Sequence, residues 1–289
     1  MRRGVVFGVS AYLLWGVSPV FWKTLQSVGS IEIIGHRVIW SLALLMVIVT
    51  TRRTWPTIRS LSGPTLARLA LAGGLLATNW LIYVWGVNNG HIVDASLGYF
   101  INPLVSVLLG VTVLRERLTA AQWLAIGVAA AGVAIMAFSV GALPWIALVL
   151  AASFGTYGLL KKQSSVGAFE SLTVEVAFLA IPAAGYLGVL GGDGAFGTGR
   201  ASVTWLLVLT GAATTLPLVL FGASAARIPL SMLGFLQYLA PSLQLLIGVF
   251  VYGEVIGGRL PGFILVWLAL AIYAGAGTQA PKTVGVPAT

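Results

Sequence analysis

Long apolar runs separated by short polar connections dominate the chain. A helix that crosses the hydrocarbon core of a bilayer needs about 20 mostly apolar residues, and ten runs approach that length. The predicted spans are residues 4–22, 33–50, 65–87, 93–114, 121–140, 143–160, 172–190, 203–223, 230–251 and 262–277. The sequence lacks the alternation of a transmembrane β-barrel. The pattern therefore predicts an all-α membrane protein with ten transmembrane helices.

Composition agrees with a membrane protein and excludes several other classes. Only 8% of the 289 residues are charged, against about 25% in a typical soluble domain. The net charge of +9 would suit nucleic acid, but basic groups of two or three residues between apolar runs do not form a phosphate-binding surface. Without cysteines and with two histidines, we expect no disulfide, no metal and no cofactor. The expected partners are the lipid bilayer and a small-molecule substrate, with no nucleic acid.

The distribution of Lys and Arg predicts the orientation. If both termini lie on one side, that side receives most of the cations in the connections: Arg2, Arg3, Arg52, Arg53, Arg59, Arg68, Arg115, Arg117, Lys161, Lys162, Arg227 and Lys282. The opposite side receives Lys23, Arg200 and Arg259, and Arg37 lies inside the second span. Cytoplasmic connections carry the excess of positive charge. We therefore expect a multi-pass protein of the plasma (inner) membrane with both termini in the cytoplasm.

Two halves of the chain resemble each other. The fourth span contains NPLVSVLLGVTVLRE, and the ninth contains APSLQLLIGVFVYGE. Pro103 and Glu116 have the same spacing in the first segment as Pro241 and Glu254 have in the second. Other matched segments of the two halves require nearly the same offset along the chain. Each glutamate ends a span at the interface, where we expect it to pair with a cation or to cap a neighbouring helix.

The repeat unit has five predicted helices, which is an odd number. The second copy must therefore enter the membrane upside down. We predict two inverted five-helix repeats, residues 1–140 and 141–278, followed by a short tail at 279–289. Inverted repeats are common in secondary transporters, whose substrate sites lie near the membrane midplane between the repeats. A duplication retained only for packing is the alternative.

Three segments resemble the RarD permeases, a group within the EamA-like families of the drug/metabolite transporter superfamily. These are HRVIWS at 36–41, NWLIYVWGVNNGHIVDASLGYFINPLVSVLLG at 79–110 and RIPLSMLGFLQYLAPSL at 227–243. The resemblance covers nearly the whole chain. It implies an inner-membrane permease with ten helices, and it does not supply a substrate.

Arg37 is the most informative single residue, because a charge at membrane depth normally faces a cavity or a partner. It lies in the second span beside His36, and the repeat matches it to Glu175. One hypothesis pairs Arg37 with Glu175, and another has Arg37 bind an anionic substrate group. Alternatively, the guanidinium reaches the headgroups. His36 is a candidate proton-linked switch or a packing residue.

The third span carries a second polar group. Asn79, Tyr83 and Gly86 fall on one face of a helix, next to Trp80. Amide and phenol groups need hydrogen-bonding partners within the membrane. A water-lined cavity would supply these partners, so we take Asn79, Trp80 and Tyr83 as candidate substrate-binding residues. Hydrogen bonds between helices, worth about 0.6 kcal/mol each, are the alternative.

Prolines at equivalent positions of the two halves predict matching broken helices. Pro103 and Pro241 each remove one backbone donor and leave a carbonyl unpaired four residues earlier. Broken helices in corresponding positions are typical of transport sites, although simple kinks are an alternative. We expect both prolines to act in gating. The polar residues beside them are candidate substrate ligands: Tyr99, Asn102, Gln237 and Tyr238.

Aromatic rings beside glycines mark the first and sixth spans. Trp15 adjoins Gly16 in a segment that also holds Pro19, where we expect a helix break, and Tyr157 follows Gly155 in the matching segment. We take Trp15 and Tyr157 as candidates to line the substrate cavity. Packing in the core is the alternative.

These features favour a secondary transporter that moves a small metabolite or an amphiphilic drug by alternating access. The sequence has no G-x-x-x-x-G-K-[ST] loop for an ATP-driven motor and no H-E-x-x-H or G-x-S-x-G motif of a hydrolase, so we do not expect an enzyme. The alternative is a non-transporting membrane scaffold or a channel. A homodimer stays open, because the sequence contains nothing that argues for or against one.

Overall fold

A computed structural model describes residues 1–138, 145–198, 200–253 and 260–277, with the backbone alone at 88 and 92–94. Within this part of the chain every regular element is a helix. The α-helices are α1 (Arg2–Lys23), α2 (Ser30–Thr51), α3 (Trp55–Arg59), α4 (Gly63–Asn88), α5 (Ile92–Thr112), α6 (Ala120–Phe138), α7 (Trp145–Gln163), α8 (Ala168–Leu190), α9 (Ala201–Ala225), α10 (Leu230–Gln237), α11 (Leu239–Tyr252) and α12 (Leu260–Gly277). A short 3₁₀ turn, Gly191–Asp193, follows α8.

Eight segments of the described chain are long and apolar enough to cross a membrane. They comprise α1, α2, α4, α5, α6, α8, α9 and the combined α10–α11 segment. The apolar helix α12 is shorter, and α7 carries Lys161 and Lys162 in its last turn. The prediction of an all-α, multi-pass membrane protein is confirmed for the described residues. Ten membrane crossings stay a prediction, and the expected span limits at 140 and 143 lie outside the described residues.

The two halves of the chain interleave. The most extensive helix contacts join α5 to α7, α6 to α12, α2 to both α8 and α9, α5 to α10, α1 to α9 and α4 to α7. Each of these pairs takes one helix from residues 1–138 and the other from residues 145–277. The core is therefore built between the halves, and neither half packs only against itself.

Glycines bring the backbones of opposite halves into contact. In α4, a Cβ atom added at Gly73 would lie 2.8 Å from the carbonyl oxygen of Glu175 in α8. In α9, a Cβ atom at Gly211 would collide with the backbone of Trp40 in α2. The Ser41 hydroxyl donates a 3.1 Å hydrogen bond to the Gly211 carbonyl. Small residues allow this close approach, which van der Waals packing then stabilises.

Pro241 coincides with an interruption between two helices. The helix α10 ends at Gln237 and α11 begins at Leu239. The Tyr238 N–H bonds the Phe235 carbonyl three residues earlier, a tighter turn than the α-helix uses. Since Pro241 has no N–H to give to the Gln237 carbonyl, the predicted break in this half is confirmed.

The other predicted breaks are wrong, because α1 and α5 run continuously through Pro19 and Pro103. Pro19 deprives the Trp15 carbonyl of its helical donor. That oxygen accepts hydrogen bonds from the Ser18 hydroxyl at 2.8 Å and from Gln244 Nε2 at 3.1 Å. Replacement donors therefore keep α1 regular. At Pro103, α10 packs closely against α5, since a Cβ atom added at Gly234 would lie 2.8 Å from the proline carbonyl oxygen.

Glu116 joins the halves at one helix start. Its Oε1 accepts the Leu230 N–H at 2.6 Å and its Oε2 accepts the Ser231 N–H at 2.9 Å. A carboxylate at the first turn of a helix satisfies free donors and suits the helix dipole. The capping role predicted for this glutamate is confirmed. Its mate, Glu254, lies outside the described residues.

Replacement of Gly211 by alanine tests the glycine contact between α2 and α9. The added methyl group has no room against the Trp40 backbone, so we expect Gly211→Ala to cost about 1–3 kcal/mol. The melting temperature of the purified protein in detergent should fall by several degrees. Gly127→Ala is the matched control, since a Cβ atom at Gly127 meets nothing within 4 Å. Equal melting temperatures for the two variants would contradict the contact.

Candidate substrate-binding cavity

A cavity of about 670 Å³ lies between the interleaved halves. Ligand sites in proteins commonly have volumes of about 300–1,000 Å³. Residues of α1, α2, α4, α5, α7, α9, α10 and α11 contribute to the wall. Of the candidate site residues predicted from the sequence, those that line it are Trp15, Arg37, Asn79, Trp80, Tyr83, Tyr99, Asn102, Gln237 and Pro241. The structure thus brings these residues together, while their contact with substrate stays a prediction.

Arg37 is held in the wall by two rings and a hydroxyl. Its guanidinium carbon lies 4.3 Å from the ring centroid of Trp80 and 4.8 Å from that of Trp22. Its Nε donates a 3.0 Å hydrogen bond to Thr214 Oγ1. Cation–π contact stabilises a charge that water hydrates only partly. The arginine is thereby fixed in one position.

The two terminal nitrogens of Arg37 remain available. Among the described residues, no group accepts a hydrogen bond from Nη1 or Nη2, and no carboxylate lies within salt-bridge distance. The charged side chains of the described wall are Arg37 and Lys23, both basic. Lys23 Nζ lies 3.6 Å from the ring centroid of Tyr252. A fixed guanidinium with free donors in a wall that carries only positive charge is suited to an anion.

Amide groups beside the arginine play different parts. Asn79 Nδ2 donates to the Leu150 carbonyl at 2.9 Å and to Ser153 Oγ at 3.1 Å. This amide therefore holds α4 against α7, as the alternative of interhelical hydrogen bonding predicted. The buried Oδ1 of Asn102 has no hydrogen-bond partner among the described residues. Because such an atom is costly to leave unpaired, Asn102 is a candidate to accept a hydrogen bond from a ligand.

Aromatic side chains close one end of the cavity. Trp15 and Phe154 line the wall with ring centroids 5.7 Å apart. Behind them, Phe221 packs on Phe154 at 5.2 Å and on Tyr157 at 5.8 Å. Tyr157 and Phe221 are almost completely buried. At another part of the wall, Tyr83 and Tyr99 meet edge to face at 5.8 Å.

The predicted Arg37–Glu175 pair is wrong. Glu175 is fully buried, and its Oε1 lies 2.8 Å from Lys161 Nζ. Its Oε2 accepts a 3.1 Å hydrogen bond from the Tyr157 hydroxyl. The Lys161 side chain passes over Gly222, where a Cβ atom would lie 2.9 Å from Cε. The carboxylate thus has a nearer cation, and Lys161 is a buried residue instead of the loop cation that the sequence predicted.

The remaining sequence candidates also lie outside the cavity wall. Tyr157 and Glu175 belong to the buried cluster behind the aromatic end, and Pro103 contacts α10. His36 faces Glu32, with 3.8 Å between Nε2 and Oε1, and stacks on Phe196. Tyr238 is buried and donates to the Phe100 carbonyl at 3.3 Å. Adjacent helices enclose Tyr157, Glu175 and Tyr238 in this structure, so contact of these three residues with substrate stays a prediction.

Sequence reasoning missed several wall residues, among them Tyr12, Trp22 and Thr214. In the sequence, Tyr12 and Trp22 cannot be distinguished from other aromatic residues of an apolar span. Thr214 belongs to a group of buried threonines in α9, with Thr210 and Thr215. Several hydroxyl groups in one apolar span were a signal that this helix faces polar partners.

Comparisons with known proteins agree with this architecture. The model of the EamA-like transporter family matches residues 2–138. Protein RarD of Streptomyces exfoliatus is 48% identical over 94% of this chain and 88% of its own length. The chain belongs to the RarD family of EamA-like transporters. The resemblance found in the sequence motifs is therefore confirmed. Membership of this family indicates a membrane transporter or permease with a small-molecule substrate.

Two further matches extend the comparison. The uncharacterized transporter YojE of Bacillus subtilis is 42% identical over 94% of this chain and 93% of its own length. A solved crystal structure that is 17% identical aligns with a TM-score of 0.76, over 94% of this chain and 97% of that one. At that identity the structural match shows the fold alone. The transporter names point away from an enzyme.

A double-mutant cycle tests the corrected ion pair. Removing one partner of a buried pair leaves an uncompensated charge, which costs about 3–5 kcal/mol. We expect Lys161→Ala and Glu175→Ala to lower the free energy of unfolding non-additively, whereas Arg37→Ala and Glu175→Ala should add within about 0.5 kcal/mol. Chemical unfolding in detergent supplies the values. Strong coupling between Arg37 and Glu175 would restore the original hypothesis.

Proposed function

We propose that this permease is a secondary transporter that moves a small organic anion with an apolar or aromatic body by alternating access. The observation that carries the proposal is the arginine of the cavity. Arg37 is fixed by Trp22, Trp80 and Thr214, and its terminal nitrogens have no protein partner among the described residues. A small organic anion is a narrower substrate class than the small metabolite or amphiphilic drug expected from the sequence.

The cavity offers complementary groups for each part of such a molecule. A carboxylate or similar anion accepts two parallel hydrogen bonds from Arg37 Nη1 and Nη2, a geometry in which charge-assisted bonds are strong. Asn102 lines the same wall and is a candidate partner for a polar group of the substrate. The apolar body packs against Trp15 and Phe154, which provide ring faces and edges without charge.

Equivalent contacts in the two halves support the inverted repeat. A Cβ atom added at Gly16 of α1 would lie 2.9 Å from Leu243 of α11. A Cβ atom added at Gly155 of α7 would lie 2.7 Å from Val105 of α5. The sequence repeat matches Gly16 to Gly155 and Val105 to Leu243. The same helix contact therefore occurs twice, at the spacing of the sequence repeat.

The proposed orientation places the cavity toward the outside of the cell. With the N-terminus in the cytoplasm, α1 and α4 both end at the outer face. The wall includes the last residues of α1, Trp22 and Lys23, and Val87 near the end of α4. The aromatic end of the cavity then faces the cytoplasm. This closed end favours a carrier over a channel, since a channel needs a continuous pore.

Thermal-shift measurements on the purified protein test the site. A ligand that binds the folded state raises the melting temperature by mass action. From a panel of organic anions and their neutral amides, we expect anions to give the larger shifts. Arg37→Ala should weaken the apparent affinity about 10- to 100-fold, because charged hydrogen bonds are worth about 1.5–3 kcal/mol. Arg37→Lys should lose much of the binding, since lysine lacks the planar fork.

Arg52→Ala is the matched control for this measurement. Its guanidinium also lies over an aromatic ring, that of Phe169 at 4.7 Å, but Arg52 does not line the cavity. The control should keep the shifts of the unaltered protein. Anion shifts that survive in Arg37→Ala, or equal shifts from anions and amides, would count against the proposed site. In liposomes, saturable uptake is expected, and open-pore currents without saturation would favour a channel.

A further inference from the structure

A set of cavity residues has a buried counterpart in the second half. Four wall residues on α1, α2 and α4 are Ser18, Trp22, Arg37 and Tyr83. The sequence repeat matches them, in the same order, to positions on α7, α8 and α9: Tyr157, Lys161, Glu175 and Phe221. These are the residues behind the aromatic end of the cavity. The cavity thus has an equivalent location in the other half, related by the repeat.

The contacts within the two sets also correspond. In the first half, Arg37 lies over Trp22, with the guanidinium carbon 4.8 Å from the ring centroid. In the second half, the equivalent positions are in contact as an ion pair, with Lys161 Nζ 2.8 Å from Glu175 Oε1. One pair of positions therefore carries a cation on an aromatic ring, and its counterpart carries two opposite charges.

The two sets differ in their access to water. The first set lines an accessible cavity. In the second, Tyr157 and Glu175 are 0% exposed, Phe221 is 1% and Lys161 is 4%. One location is open and its counterpart is closed. In a transporter built from an inverted repeat, the open and the closed arrangement exchange between the two halves as they rock around a central site.

An ion pair suits the closed location. Within a dry interior the attraction between Lys161 and Glu175 is strong, and separating them without water leaves two uncompensated charges. Hydrogen bonds from Tyr157 to Glu175 and from Lys161 to Ser171, at 3.1 and 2.5 Å, hold the pair in place. Once water enters, both charges are hydrated and the pair is worth little. The ion pair therefore stabilises the closed state, and it does not destabilise the open state once water has entered.

We propose that the Lys161–Glu175 pair, supported by Tyr157, is the gate that closes the cytoplasmic side of the transporter. This inference rests on the proposed alternating access and orientation. Opening the gate admits water to the pair, while the cavity around Arg37 closes. Loss of the pair shifts the population from the outward-open toward the inward-open state.

The absence of cysteine from the chain allows a direct accessibility test. Ala213→Cys reports on the cavity wall, and Ser171→Cys reports on the buried gate. Because Ser171→Cys also alters the hydrogen bond from Lys161, each gate variant is compared with the Ser171→Cys protein itself. Each single-cysteine protein is treated with a membrane-impermeant thiol reagent, added outside for the first and at the cytoplasmic face for the second. No substrate is needed. The gate variants are Glu175→Gln, Lys161→Met and the milder Tyr157→Phe.

Breaking the gate should change the two reporters in opposite directions. Minor conformers of proteins are commonly populated at about 0.1–10%, so a shift that brings the inward-open state to about half of the population raises the modification rate of Ser171→Cys at least about fivefold. The rate for Ala213→Cys should then fall to about half in the same variants. Tyr157→Phe keeps the ring and loses one hydrogen bond, so it should change both rates in the same directions by less. Melting curves establish that each variant is folded.

Lys162→Met is the matched control, because Lys162 Nζ donates to the Ile228 carbonyl at 2.7 Å and does not contact Glu175. It should leave both rates unchanged. Unchanged rates in folded gate variants would overturn the proposal. A faster reaction at Ser171→Cys without a slower one at Ala213→Cys would also overturn it, since that result means local opening. Ligand shifts at Arg37 test the binding site separately, so failure of the gate and failure of the site are distinguishable.

Discussion

A charge inside a membrane is costly unless it has a partner or meets water, and the packing of this chain meets that cost. Two charged residues at equivalent positions of the repeat meet it in different ways. Arg37 lies between aromatic rings at the edge of a cavity, and Glu175 has a lysine and a tyrosine hydroxyl in a dry interior. Charges at this depth are rare and usually functional. The sites with the greatest energetic demands are also those to which we assign binding and gating.

The interleaving of the halves follows from the same constraint. Several charged or polar side chains in the interior find a partner in the other half of the chain, as Arg37 does with Thr214 and Glu116 with the start of α10. Glycines such as Gly73 and Gly211 bring the helix backbones close enough for these contacts. The cavity is then an interface between halves, and its wall forms only when both are assembled.

The prolines show how tertiary contacts decide a local outcome. Pro19, Pro103 and Pro241 each remove one backbone hydrogen bond, and sequence alone predicts the same interruption at each of them. The helix is interrupted near Pro241, whereas Ser18 and Gln244 supply the carbonyl freed by Pro19 and keep α1 continuous. Donors from other helices are available or unavailable according to packing. A proline in an apolar span therefore marks a position of altered hydrogen bonding and does not by itself determine the geometry.

The all-α membrane class, the family and most of the polar residues of the cavity could be recognised from the sequence. Arg37, Asn79, Tyr83 and Asn102 could be found because a polar group in an apolar span has to meet a cavity or a partner. Their partners were decided by the tertiary structure alone. Arg37 and Thr214 lie on helices from opposite halves of the chain, and no local pattern links them. The sequence repeat matched Arg37 to Glu175, but equivalent positions in a duplicated fold occupy equivalent places and need not be in contact, so the carboxylate pairs with Lys161 instead.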